Sequence, residues 1–320
     1  MKSALPVRKP FQTLAVSTTA ATYILILVGG LVRASGAGLG CPDWPRCFGA
    51  WIPPASAAAL PPGFDPSQFN PTLMWTEYLN RLLGVTVGLL IFATLIAAWR
   101  HHRRTPRVFL PTLAAFLLVG FQGWLGGVVV RQELAGWLVT VHMVVALVIV
   151  SLLLYATLYA IVGKPAARGS DASAGTRASP SALTLLMGLL MAATLVQVIL
   201  GTQVRERIDE ALMTGVPRSA ALSTVGAVDR WHRELALLVL ALSVAVLWRL
   251  RAEGRHEVRL VGRAATVMMA LSALQIVLGL TLAYAALTPA AQVLHLSGAS
   301  LLVGAQLAVL LLTRWQPASE

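Results

Sequence analysis

The stretch Asp229-Arg230-Trp231-His232-Arg233-Glu234 sits where a loop runs into a long apolar segment, and it carries a histidine just inside that segment. A side chain that can ionise or bind a metal costs free energy to bury at such a depth, so by default it marks a functional site rather than packing. The stretch has a twin in Glu77-Tyr78-Leu79-Asn80-Arg81, where Glu77 matches Asp229, Asn80 matches His232 and Arg81 matches Arg233. His142 and His295 repeat at nearly the same offset, as do Gln122 and Gln275, and Gly126 and Gly279. Two copies of one design are implied.

The chemistry such residues could do is metal ligation. His142, His232 and His295 each fall roughly one and a half helical turns inside an apolar segment. If the segments bearing His232 and His295 enter from the same side, the two rings can face each other across a helical bundle, which is the geometry of bis-histidine haem ligation. The first copy offers His142 against Asn80, and asparagine is a poor haem ligand. A haem there would be held from one face by His142, with its other face open, a state suited to reactivity rather than simple electron transfer. Glu77, one turn before Asn80 on the same helix face, could relay a proton or position water, or it could simply pair with Arg81. Arg33, Arg81, Arg131, Arg205 and Arg233 end the segments on one side, where they could meet anionic haem propionates or reach toward lipid phosphate. The remaining histidines, His101, His102 and His256, lie in arginine-rich connections and read as solvated loop residues.

The elements that must position these side chains are spanning helices. Of the 320 residues, 57% are hydrophobic and only 12% charged, a balance that belongs to polytopic membrane proteins rather than to soluble domains. Apolar windows of span length fall at about 13–33, 76–99, 108–130, 137–162, 182–204, 229–250, 262–286 and 290–314, giving eight transmembrane helices. The formal charge of +12 is gathered in short clusters between them, so it reads as a topology signal and not as a nucleic-acid surface. The clusters at Lys2, Arg8 and Lys9, at Arg100 to Arg107, at Lys164 to Arg177, at Arg249 to Arg263 and at Arg314 share one side, which the bias makes cytoplasmic. Both termini are then cytoplasmic and the chain is a multi-pass protein of the cell inner membrane. Residues 164–181, rich in Ala, Ser and Gly, read as a linker between an N-terminal half, 1–163, and a C-terminal half, 182–320. Each half has four helices and starts from the same side, so the expected architecture is all-α, two parallel-repeat four-helix bundles.

The long outer loop 34–74 holds the only two cysteines, Cys41 and Cys47. It faces an oxidising compartment, and a local bridge between them is short enough to close. A static staple and a redox-active pair are both open readings. Two cysteines without a neighbouring histidine do not supply a zinc site.

Along nearly its whole length the chain resembles the haem A synthase family. The most specific match is Gly29-Gly30-Leu31-Val32-Arg33-Ala34-Ser35-Gly36-Ala37-Gly38-Leu39-Gly40-Cys41-Pro42-Asp43-Trp44-Pro45. The resemblance implies oxidation of the C8 methyl of haem O to a formyl group, giving haem A for terminal oxidase assembly. It implies a haem b cofactor (iron) on His232 and His295 in the C-terminal half, with Arg205 and Arg233 nearby. It also implies substrate haem O in the N-terminal half, with His142, Asn80, Glu77, Arg33, Arg81 and Arg131, and a Cys41–Cys47 disulfide or redox pair. The implied partners are the membrane enzyme that makes haem O (haem O synthase), a membrane or periplasmic electron donor or acceptor, and the terminal oxidase assembly machinery; a homo-oligomer is left open. Two departures stand out: Asn80 replaces a histidine that many members carry, and the C-terminal half lacks a cysteine pair found in some. The competing readings are a di-haem b-type electron carrier, which would need four strong ligands, and a non-catalytic haem transporter or chaperone.

Overall fold

A computed structural model describes residues 10–162, 181–285 and 287–315. The linker expected at 164–181 falls almost wholly outside these, as do Lys2, Arg8 and Lys9. Among the described residues the long elements are α1 (Pro10–Ala34), α2 (Pro71–His102), α3 (Pro106–Arg131), α4 (Gly136–Val162), α5 (Ala182–Met213), α6 (Ala227–Ala252), α7 (Arg259–Leu280, continued by one π-helical turn to Ala285) and α8 (Pro289–Trp315). All eight are long and apolar enough to cross a membrane. The chain divides into two compact units, Met1–Gly163 and Lys164–Glu320.

Within the first unit α1 packs on α2 and α4, and α3 packs on α2 and α4; within the second, α5, α6, α7 and α8 repeat that ring of neighbours. Diagonal helices, α2 with α4 and α6 with α8, therefore face each other across each bundle interior. Because lipid offers no hydrophobic drive between helices, close contacts rest on small and hydroxyl side chains. In the first unit Thr18 meets Thr94 at 2.8 Å and Thr19 meets Thr157 at 3.1 Å. In the second Gln306 donates to Thr194 at 2.9 Å and Ser272 to Ser243 at 3.2 Å.

Local sequence sets the helix ends. α2 opens with Asn70, whose side chain accepts from the Thr72 and Leu73 N–H groups, followed by Pro71, whose missing N–H costs nothing at a first helical position. That start lies five residues above the apolar window. α5 departs further from expectation: instead of ending near residue 204, it runs on to Met213. The extension, Arg205-Glu206-Arg207-Ile208-Asp209-Glu210-Ala211, is polar, yet it buries Ile208 and Ala211 against Ala221 and Val225. A hydropathy window registers the charges and misses that narrow apolar stripe.

Each unit carries a small core at one end of its spans, built differently. In the first, Cys41, Cys47, Phe48 and Met74 form a buried cluster, with the two cysteine sulfurs bonded and their Cα atoms 4.7 Å apart. Gly40 is pressed so closely on α2 that a Cβ there would come within 2.4 Å of the Leu73 carbonyl oxygen. Trp44 lies across Gly127 of α3, where a Cβ would sit 2.8 Å from the indole. In the second unit the α5 extension and the short turn of helix at Ala221–Thr224 supply that core without cysteines.

Candidate functional site

The second unit brings His232 of α6 and His295 of α8 together across its interior, ring centres 6.3 Å apart and planes at 67°. Two metal–nitrogen bonds of about 2 Å, with about 1 Å from each nitrogen to its ring centre, add up to about 6 Å. The separation thus fits two imidazoles on one iron. His232 and His295 each hold a buried Nδ1 with no partner among the described residues, as does His142 in the first unit. Buried polar atoms left unpaired cost about 1–3 kcal/mol each, so three at equivalent depth call for an explanation, and ligation of a haem iron through the rings is one that suits the donor set.

A further pattern becomes visible only in three dimensions. Each of these histidines lies against a glycine of the preceding helix: a Cβ built on Gly126 would come 3.6 Å from His142 Cε1, on Gly201 3.1 Å from His232 Cε1, and on Gly279 3.7 Å from His295 Cε1. Four residues before each glycine stands a glutamine. Gln122 donates to the His142 carbonyl at 2.8 Å and Gln197 to the His232 carbonyl at 2.9 Å. Gln197 Nε2 also lies 3.4 Å from His232 Nε2. Gln275, on α7, reaches α8 where a Cβ on Gly298 would stand 2.2 Å from its Nε2, which has no hydrogen-bond partner. Three helix hairpins therefore share one Gln, Gly, His arrangement. The sequence signal, Gln-Xaa3-Gly on α3, α5 and α7, was present, but only two of its three copies stand at the long repeat offset.

The first hairpin departs from it at two points. α1 keeps Gly29 but has Leu25 in the glutamine position, and α2 has Asn80 in the histidine position. Leu25 packs into the core formed by Val87, Ile91, Ala115, Ile149 and Leu153, so that face of α1 points inward. Asn80 Oδ1 is buried without a partner among the described residues.

Glu77 and Asp229 also repeat each other, since each pairs with the arginine one turn on: Glu77 with Arg81, and Asp229 with Arg233 at 2.6 Å. Their surroundings differ. Glu77 is 4% exposed, and its second oxygen accepts the Cys41 N–H at 2.8 Å. Arg81 donates through Nε and Nη2 to Glu77, through Nη1 to the carbonyls of Asp43 (2.7 Å) and Arg46 (2.8 Å), and through Nη2 to that of Cys41 (3.2 Å). A guanidinium has five N–H groups, and all five are committed. Arg81, expected from the sequence at a haem propionate, straps the disulfide loop to α2 in this structure. The same loop is tightened by Asp43, whose carboxylate accepts the Phe48 and Gly49 N–H groups at 2.6 and 2.9 Å.

The other arginines end the helices on the side of these sites. Arg205, on α5, contacts Asp209 one turn on and Gln292 of α8, and Arg233, next to His232 on α6, donates to Tyr284 Oη at 3.1 Å. In the first unit, Arg33 falls in the last turn of α1, and Arg131 is exposed at the end of α3. Cys41 and Cys47 are wholly buried, which favours the staple over a pair open to an external reductant.

Comparison with known proteins adds an independent line. Residues 12–307 match the COX15-CtaA family model, described as cytochrome oxidase assembly protein. Among curated relatives, the "Heme A synthase" of Sinorhizobium fredii is 28% identical over 205 residues, covering 58% of this chain and 53% of that protein. The "Heme A synthase" of Shewanella oneidensis is 35% identical over 138 residues, 42% of this chain and 40% of that protein. That of Geobacillus kaustophilus is 32% identical over 163 residues, 51% and 46% respectively. The matched stretches span about half the length of these relatives or less.

Proposed function

The chain belongs to the COX15-CtaA family of cytochrome oxidase assembly proteins, and from that premise we propose that it is a haem A synthase, an oxidoreductase converting the C8 methyl of haem O to a formyl group. The observation that carries the reading is asymmetry. One bundle presents two histidines at the separation one iron requires, and the other presents a single histidine at the matching level with Asn80 opposite. A resident cofactor calls for firm ligation from both faces, whereas a substrate must leave, and exchange from one histidine breaks one metal bond rather than two.

On this reading His232 and His295 hold a haem b, with Arg205 and Arg233 at its outer rim. When bound, that haem supplies one-electron redox chemistry tuned by its two imidazoles. The substrate haem O is held by His142 in the first bundle, with Arg33 and Arg131 at the rim. Two successive hydroxylations of the methyl, each releasing two electrons to an acceptor and two protons when water supplies the oxygen, give a hydrated aldehyde, which loses water to the formyl group. Glu77 is the only acidic residue of α2, one turn before Asn80. Its contacts to Cys41 and Arg81 hold the disulfide loop to α2, and its place one turn from Asn80 suits it to relay a proton or position water during the oxidation. The partners implied are a membrane source of haem O, an electron donor or acceptor, and the oxidase that receives haem A. The orientation proposed, with both termini cytoplasmic, rests on the clustering of basic residues between alternate spans.

The test is pigment extraction and mass spectrometry of the purified protein, made with and without a haem O supply. A synthase carries haem B together with haem O, a hydroxylated intermediate or haem A. Haem B alone at two per chain would instead indicate a di-haem electron carrier, and unmodified haem O that turns over to nothing would indicate a transporter.

A further inference from the structure

A histidine that ligates iron gives one ring nitrogen to the metal and keeps a proton on the other. That N–H almost always finds an acceptor, which fixes the ring and strengthens it as an electron donor. His232 has a group placed for this. Gln197 of α5 donates through Nε2 to the His232 carbonyl at 2.9 Å, and the same nitrogen stands 3.4 Å from Nε2 of the imidazole. Its Oε1 is buried without a partner among the described residues. Because the last torsion of a glutamine is broad, that oxygen can turn to the ring while the side chain stays over His232. Gln122 repeats the pattern in the first bundle, donating to the His142 carbonyl at 2.8 Å with a buried Oε1 likewise unpartnered among the described residues.

The choice of side chain is informative. A serine or threonine would serve a backbone carbonyl with its one donor, whereas an amide brings a carbonyl oxygen that is costly to leave unpaired in an apolar span. An amide suits the position when both of its ends are used, one on the histidine's backbone and one on its ring. The third glutamine is placed otherwise. Gln275 of α7 lies over Gly298, three residues past His295, where a Cβ would stand 2.2 Å from its Nε2, and that nitrogen has no hydrogen-bond partner among the described residues. The two histidines offered to one iron are therefore backed unequally.

We infer that Gln197 is a positioning residue for His232, its Oε1 accepting the N–H of the iron-bound imidazole, and that His295 has no such support from Gln275. The inference rests on the proposed reading of the second bundle as a bis-histidine haem site. A hydrogen bond at the ring makes His232 the stronger donor and favours ferric iron, so the α5 glutamine lowers the reduction potential of that haem.

The test is a redox titration of the haem-loaded full chain in a His142→Ala background, where the haem of the second bundle is read alone, with haem content measured by extraction. Gln197→Met, similar in length and without the amide, should keep the bis-histidine absorbance. It should shift the reduction equilibrium toward ferrous iron about tenfold, which is about 59 mV for one electron, and move the largest g value of the ferric haem in electron paramagnetic resonance. Gln275→Met should change that equilibrium less than twofold. An unmoved potential and g value in Gln197→Met with haem retained would overturn the inference, as would an equal shift in Gln275→Met. Gln197→Glu, which keeps an acceptor of the same length, covers the case in which Gln197→Met holds no haem: it should lower the potential, and an unmoved or raised value would overturn the inference too. A bis-histidine spectrum that survives in both His232→Ala and His295→Ala would instead overturn the functional reading beneath it.

Discussion

Replacing Arg81 with Ala removes the side chain of α2 that bonds the most groups of the disulfide loop. In the native protein the guanidinium pairs with Glu77 and donates to three loop carbonyls, Cys41, Asp43 and Arg46. Glu77 is 4% exposed, so in the variant its carboxylate stays buried without a cation, held by backbone N–H groups of which that of Cys41 is at 2.8 Å. Breaking a buried pair in this way typically costs about 3–5 kcal/mol, because the surviving charge is uncompensated. The disulfide stays in place, so the loss falls on docking of the loop rather than on its closure. Loop opening that becomes about 3 kcal/mol easier raises the open population by roughly two orders of magnitude. Hydrogen exchange reads this directly: amides of Cys41, Phe48 and Gly49, which are bonded to Glu77 and Asp43, should exchange about a hundredfold faster, while the α6 and α8 core is unchanged. Arg81→Ala combined with Glu77→Gln should recover part of the loss, since the buried charge is gone, with a coupling of about 0.5–3 kcal/mol. Unaltered loop protection in Arg81→Ala would refute the strap, and equal losses in the single and double variants would show that the buried carboxylate is not what makes the single change costly.

Four further outcomes are expected. His232→Ala and His295→Ala should each abolish the bis-histidine spectrum, and its survival in both would remove the cofactor assignment. Glu77→Gln should lower the ratio of haem A to haem O in membranes at equal protein level while the haem of the second bundle is retained; a normal ratio would leave Glu77 as a loop anchor only. Gly201→Ala, whose methyl would stand 3.1 Å from the His232 ring, should lower haem content in the second bundle, whereas Gly126→Ala, with 3.6 Å to His142, should be tolerated. Finally, maleimide should label neither Cys41 nor Cys47 in intact vesicles until a reductant is added, and full labelling without one would contradict the bridge.

The amino-acid sequence by itself determined the membrane class, the number of spans and the twofold repeat. These rest on hydrophobicity and spacing, which act locally and leave the same mark wherever a helix must cross lipid. It also singled out His142, His232 and His295, because polar residues are rare enough in apolar segments to stand out. What it left open were contacts between residues far apart along the chain. The Glu77–Arg81 spacing allowed either a haem-edge carboxylate or a plain ion pair, and it carried no sign of the loop, whose carbonyls take up the rest of the guanidinium only once residues 41–46 fold back onto α2. The polar end of α5 was legible as charge but not as helix, because its stability comes from Ile208 and Ala211 packing on Ala221 and Val225 of a later segment. The glycines beneath the histidines, ordinary in a list of spans, acquired meaning from the ring edges that rest on them. Tertiary packing decides which side chains share a space, and local sequence decides only which are available to do so.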